Sequence, residues 1–143
     1  VKVTPHFSVE EFRCHDGTPY PDARIESHLR PLCVALERIR DELAIEAGHP
    51  VPLAIISGYR SPRWNQRVEG AQKSRHMEGD AADVQPQGVS VETLWRVAYR
   101  LHREGAIRLG GLGRYPNWVH IDTRPGDVLA QWQGGGMGAE HVA

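Results

Sequence analysis

Two cysteines, Cys14 and Cys33, are all that this sequence contains, and neither belongs to a C-x-x-C pair. That is too few for a disulfide scaffold. Two buried thiols are the expectation, with a single disulfide as the alternative. Thiolate ligation of zinc has little support, because better ligands occur elsewhere. No apolar run approaches the roughly 18 residues needed to cross a bilayer, so no membrane span is expected. The opening Val1-Lys2-Val3-Thr4-Pro5 is not a signal peptide. A trimmed leader with a periplasmic or cell-wall location, release by lysis, and a cytosolic location all stay open. There is no basic run and the net charge is −1, so nothing points to nucleic acid as a partner. No internal repeat occurs.

What is present reads as one domain. A chain of 143 residues buries about two-thirds of its unfolded surface, enough for a core without covalent staples. With 40% hydrophobic and 24% charged residues, the balance is that of a globular protein. The 15 glycines and 10 prolines predict that loops occupy much of it. The expected layout is a single domain over residues 1–143, with a core over about 7–132 and a flexible tail over 133–143 that is glycine-rich from Gly134 to Gly138. A monomer is expected.

Local signals divide the chain. Ser8 and Glu11 form a capping box that opens a short helix through Phe12. Residues 14–22 read as loop. Leu29, Leu32, Cys33, Leu36, Ile39 and Leu43 recur at helical spacing, with Pro31 suited to the first turn and Gly48 and Pro50 ending the helix. Residues 53–56 are a compact apolar run, predicted to be a buried strand. A short helix is expected over 62–68, a polar turn over 69–74 and a second strand over 81–84. Ser90 caps a further helix with Val91, Leu94, Trp95, Ala98 and Leu101 on its apolar face and Gly105 at its end. Residues 111–115 and 118–123 flank Pro116-Asn117 as a hairpin. Helices and strands alternate without a regular β-α-β rhythm, which predicts an α+β domain with helices packed on a short, mainly antiparallel sheet.

Eight histidines are scattered through the chain, so their setting matters more than their number. His76 lies in a polar stretch where Gly79 frees the backbone to turn. Asp83 sits between Ala82 and Val84 at the start of an apolar strand, where a bare carboxylate is too costly to bury. Alternation along Trp118-Val119-His120-Ile121-Asp122 puts Trp118, His120 and Asp122 on one face. Two imidazoles and one carboxylate form a recurring catalytic zinc set that leaves a fourth position open. Residue by residue, a hydrogen-bonded histidine and a capping or ion-paired aspartate are the competing readings.

Taken together, Ser57-Gly58-Tyr59-Arg60-Ser61-Pro62, Asn65, Gly70-Ala71, Ser74-x-His76-x-x-Gly79-x-Ala81-x-Asp83 and Val119-His120-Ile121-Asp122 follow one pattern in one order. This resembles the zinc D-alanyl-D-alanine carboxypeptidase family of murein peptidases, in its short single-domain branch. That branch includes murein endopeptidases and the enzymatic domains of some phage endolysins. The resemblance runs from about Phe7 to Trp132. It implies a compact α+β fold with a zinc site at one face, one catalytic Zn²⁺ held by His76, Asp83 and His120, and hydrolysis of peptidoglycan stem or crosslink peptides, as a carboxypeptidase or an endopeptidase.

The resemblance also assigns Arg60 to the substrate, which its planar guanidinium can grip bidentately. Ser74 matches a residue near the metal, able to hydrogen-bond substrate or simply to shape the loop. The chain departs from better-known branches three residues before His120, where a Glu or Asp is replaced by Asn117, which cannot take a proton. Asp122 is then the candidate, either as general base or as the partner that orients a metal-bound histidine. Glu78 and Asp80 are expected to be solvated loop charges. Tyr59, Tyr115 and Trp132 are candidate cleft aromatics, with core or rim packing as the competing role. His6, His15, His28, His49, His102 and His141 are expected at the surface or as caps. The same fold and ligands also resemble the amino-terminal domain of Hedgehog signalling proteins. A non-catalytic zinc-containing binding module is therefore the alternative.

Overall fold

The computed structural model describes residues 1–134, and its elements begin and end where local chemistry sets them. Strands β1 (Lys2–Thr4) and β2 (Phe7–Ser8) pair antiparallel. The Ser8 N–H then donates to Glu11 Oε1 at 2.8 Å, the predicted capping box, and opens a 3-10 turn over Val9–Phe12. A π-turn at Ile25–Leu29 runs into α1 (Arg30–Ala47), with Pro31 in the first turn, where a missing N–H costs nothing. Gly48, at φ 78°, stops the helix in a left-handed conformation. Next come β3 (Leu53–Ser57), α2 (Pro62–Arg67), α3 (Arg75–Glu78) and β4 (Ala81–Pro86). α4 (Val91–Arg103) is capped as expected by the Ser90 hydroxyl, which accepts from Thr93 N–H at 3.0 Å. β5 (Gly111–Arg114), β6 (Val119–Asp122) and β7 (Ala130–Gln133) complete the chain.

Five strands form one sheet in the order β3-β4-β6-β5-β7, antiparallel except for the β5–β7 pair. This is the predicted α+β arrangement. Ala82, Val84, Leu112, Val119 and Ile121 join one core with Leu32, Leu36 and Ile39 of α1 and Leu94, Val97 and Leu101 of α4. Each fully buried leucine in that layer contributes roughly 1.5–3 kcal/mol by leaving water. Arg96 and Arg100 of α4 also reach Glu42 and Glu46 of α1. Those pairs are solvated and add little beside the apolar contact. Because strand residues alternate, the face that turns away from the core carries Asp83, His120 and Asp122.

Several elements differ from expectation. The core extends past the predicted boundary at residue 7, since Val3 of β1 is buried within it. The one-turn helix α3 falls in a polar run and is held by its caps, so it has no apolar stripe to betray it. β7 is an edge strand with Gln131 and Gln133 exposed, too polar to read as an apolar run. Of the tail expected over 133–143, Gln133 closes β7 and the Gly134 N–H donates to the Arg114 carbonyl. Residues 135–143, including His141, lie outside the described residues. Cys14 and Cys33 are both buried and free, and burial pushes the Cys33 thiol up to about 12. No helix among the described residues is long and apolar enough to cross a membrane.

Candidate metal centre

The register of β4 against β6 sets Asp83 directly opposite His120. His76 comes from α3, whose first turn is capped by Ser74 Oγ accepting from His76 N–H at 3.2 Å. Gly79 ends that turn at φ 83° and sends the chain into β4. A side chain there would also strike Tyr20, whose hydroxyl donates to the Gly79 carbonyl at 2.6 Å. The imidazoles of His76 and His120 meet nearly at right angles, 5.1 Å apart between centroids.

Hydrogen bonding fixes which nitrogen of each ring carries a proton. His76 Nδ1 lies 2.8 Å from the Gly58 carbonyl, which can only accept, so Nδ1 is the donor and Nε2 holds a lone pair. His120 Nε2 lies 2.7 Å from Asp122 Oδ2, so Nε2 is the donor and Nδ1 holds the lone pair. These two lone-pair nitrogens sit 3.4 and 3.3 Å from Asp83 Oδ1. None of the three atoms has a hydrogen-bond partner, although all are buried. Each buried acceptor left without a donor costs about 1–3 kcal/mol. A proton on one of them would satisfy two at most, whereas a cation between them satisfies all three.

The spacing suits such an ion. Ligand atoms about 2.0–2.2 Å from a tetrahedral metal stand about 3.3–3.6 Å from one another. The donor atoms of His76, Asp83 and His120 all lie within 4.8 Å of each other, a group that could hold a metal ion. Burial is the largest influence on both imidazoles and pushes both pKa values down. It prevails at His76, while at His120 the Asp122 and Asp83 carboxylates outweigh it and hold the pKa above its ordinary value. Burial alone would raise Asp83, but His76 and His120 hold it well below the usual carboxylate range.

Around this trio the supports are dense. Asp122 is fully buried, and besides His120 it accepts from the Arg124 backbone N–H at 3.0 Å and from its guanidinium at 2.6–3.1 Å. The facing positions on β5 are Gly111 and Gly113, where a Cβ would fall 2.2 Å from Asp122 and 2.4 Å from Trp132. Their lack of side chains lets Trp132 lie against His120, with centroids 5.0 Å apart. Arg60 is 5% exposed, donates to Asn65 Oδ1 at 3.3 Å and stands 3.8 Å from Asp83 Oδ2. Asp83 thus turns one oxygen to the imidazoles and the other to the guanidinium.

The site opens on a cleft of about 310 Å³ lined by Arg60, Asp83, Trp64, Trp118, His15 and Val68, among others. A larger cavity of about 1130 Å³ lies between α1 and the loop after β6 and contains none of the three metal-site residues. Of the two roles open to Tyr59, Tyr115 and Trp132, packing is the one their contacts display, and none of them lines this cleft. Tyr59 packs edge-on to Tyr20, Tyr115 is buried beneath Trp118, and Trp132 donates from Nε1 to the Tyr115 hydroxyl at 2.8 Å. Trp64 and Trp118 take that place instead. Ser74 is 1% exposed and outside the lining, so the loop-shaping role is the one its geometry displays. Asp80 is buried and paired with Arg75 at 2.5 Å, contrary to its expected solvation, because α3 folds the arginine over it. His6 pairs with Glu37, His102 Nδ1 accepts from Leu109 N–H, and His28 and His49 bond their sequence neighbours. His15 alone among the unassigned histidines of the described residues lines the cleft.

A family profile described as Peptidase M15 matches residues 5–122. The chain is also similar to the peptidoglycan L,D-endopeptidase MepK of Escherichia coli strain K12, at 37% identity over 81 residues. That alignment covers 52% of this chain and 41% of the relative. A Shigella flexneri protein of the same name matches with the same identity and coverage. The chain therefore spans less than half the length of these curated relatives.

The trio makes a direct prediction. Cobalt(II) added to the metal-free protein should bind one ion per chain and produce a visible ligand-field band, followed by absorption titration. His76→Ala should abolish the tight phase. An unaltered titration in that variant would place the ion elsewhere.

Proposed function

The chain belongs to the peptidase M15 family, and from that premise we propose that it is a zinc-dependent peptidase that cuts the stem or crosslink peptides of peptidoglycan. The observation that carries the metal is the convergence of three buried, unsatisfied donor atoms of His76, Asp83 and His120 on one point beside an open cleft. The proposed substrate follows the printed activity of the similar enzyme, and the same likeness favours an endopeptidase over a carboxypeptidase. Such a substrate would put the protein's work at the cell wall, in the periplasm or outside the cell.

The ion would be held by His76 Nε2, one Asp83 carboxylate oxygen and His120 Nδ1. When bound, it supplies Lewis acidity toward a peptide carbonyl and toward water. The chain's own groups prepare the rest. Arg60, fixed at the cleft by Asn65, would grip a substrate carboxylate or carbonyl through parallel N–H donors. Trp64 and Trp118, both in the cleft lining, would offer flat apolar surface to the peptide backbone. Asp122 would act as the orienting partner of His120. What supports this role is that its oxygens accept from the ring nitrogen that faces away from Asp83 and from Arg124, and that it is fully buried outside the cleft lining.

Two measurements test this reading. Purified peptidoglycan treated with the zinc-loaded protein should release new fragments, read by mass spectrometry, that disappear under chelation. An unchanged pattern with zinc demonstrably bound would point to a binding module instead. Asp122→Asn should weaken metal binding by about 10–100-fold, measured by chelator competition. A variant that keeps its affinity and loses only turnover would assign Asp122 the role of base.

A further inference from the structure

Peptide hydrolysis needs a group that moves a proton from the attacking water to the departing amine, and the expected carboxylates are not placed to do it. Asn117 occupies the position three residues before His120, and an amide does not take up a proton. Asp122 is fully buried behind His120 and held by Arg124. Glu78 and Asp80 line the separate cavity beside α1. Asp83 belongs to the metal-site trio. The titratable side chains along the cleft are then Arg60, Asp83 and His15, and of these His15 is the one whose ring can both take up and hand back a proton while free of a ligand role.

His15 is presented there by both of its neighbours. On one side, Cys14 is buried and its sulfur accepts from the Ser61 N–H at 3.5 Å. On the other, Asp16 Oδ2 accepts from the Ser61 hydroxyl at 2.8 Å while its Oδ1 accepts from Thr18 N–H at 2.9 Å. The turn is closed by Gly17 N–H donating to the Cys14 carbonyl at 3.0 Å. Ser61 directly follows Arg60, so the loop that carries the arginine also anchors the turn that carries the histidine. The His15 ring stands edge-on to Trp64 with centroids 6.1 Å apart. Arg60 and Asp83 share the cleft with it, Asp16 lies beside it on its own turn, and Glu10, Glu11 and Arg13 share the concavity on its outer side.

We propose that His15 is the proton-transfer residue of this peptidase. The assignment rests on the peptidase reading above. As the water oxygen bonds to the scissile carbonyl carbon, the neutral His15 imidazole takes one water proton. As the C–N bond breaks, it returns that proton to the leaving nitrogen, so the products are a carboxylic acid and an amine and His15 is neutral again. The acid then loses its remaining proton to solvent. A histidine in this role has a signature that a wall of the cleft lacks, because its protonation removes the base. The rate should fall on the acid side, where His15 is charged.

The test uses the full chain, metal-loaded, on a soluble crosslinked muropeptide. His15 is exposed, so His15→Gln and His15→Ala remove a surface ring without opening the core. For His15→Gln, kcat should fall by about 10²–10⁴-fold, with KM and metal content unchanged. The acid limb of the kcat/KM profile should disappear, and added imidazole should partly restore turnover in His15→Ala. A variant with wild-type kcat and the same acid limb, or one changed in KM alone, would overturn the assignment while leaving the peptidase intact. A wild-type protein that binds metal and cuts no muropeptide overturns the peptidase reading itself, and the His15 assignment with it.

Discussion

Two hydrogen bonds made away from the site decide what the site is. The Gly58 carbonyl holds the proton of His76 on Nδ1, and the Asp122 carboxylate holds that of His120 on Nε2. Each bond turns a lone pair inward, toward Asp83 Oδ1, and leaves it without a donor. A fold with three buried acceptors facing one another is poorly satisfied without a cation. The other features of this face serve that geometry. Arg124 fastens Asp122, Arg60 turns the second oxygen of Asp83 away, and the glycines of β5 leave room for Trp132 against His120.

The sheet makes this arrangement possible because antiparallel register is discrete. Asp83 and His120 are paired across β4 and β6, and a slip of one residue would turn both toward the helices. The apolar alternation that buries Ala82, Val84, Val119 and Ile121 against α1 and α4 therefore also orients the polar set on the other side. Stability and site share one constraint. The third member, His76, is added from outside the sheet by a single helical turn, fixed at one end by Ser74 and at the other by Gly79.

Much of this is legible in the residues. Ser8 with Glu11 and Ser90 mark their turns through local chemistry, and the apolar stripe of α1 follows from periodicity alone. The His76, Asp83 and His120 set could be named from strand alternation together with the motif that resembles murein peptidases, and the structure brings those three together. The two roles left for Asp122 could not be separated by spacing, since they differ in which side of the imidazole the carboxylate meets. The cleft walls were harder to read. Tyr59, Tyr115 and Trp132 are aromatic and near the motifs in sequence, but Tyr59 packs on Tyr20, Tyr115 beneath Trp118 and Trp132 on His120, while Trp64 and Trp118 line the cleft. His15 carries no motif signal because what places it is a contact of Cys14 and Asp16 with Ser61, more than forty residues along the chain.

The central claim concerns what surrounds the ion. X-ray absorption at the zinc edge of the loaded protein tests it most directly, because it reads ligand type and distance together. His76, Asp83 and His120 around the ion should give a four-coordinate shell of nitrogen and oxygen at about 2.0–2.2 Å, with multiple scattering from two imidazoles. A sulfur shell at about 2.3 Å, or a shell without imidazole scattering, would contradict it.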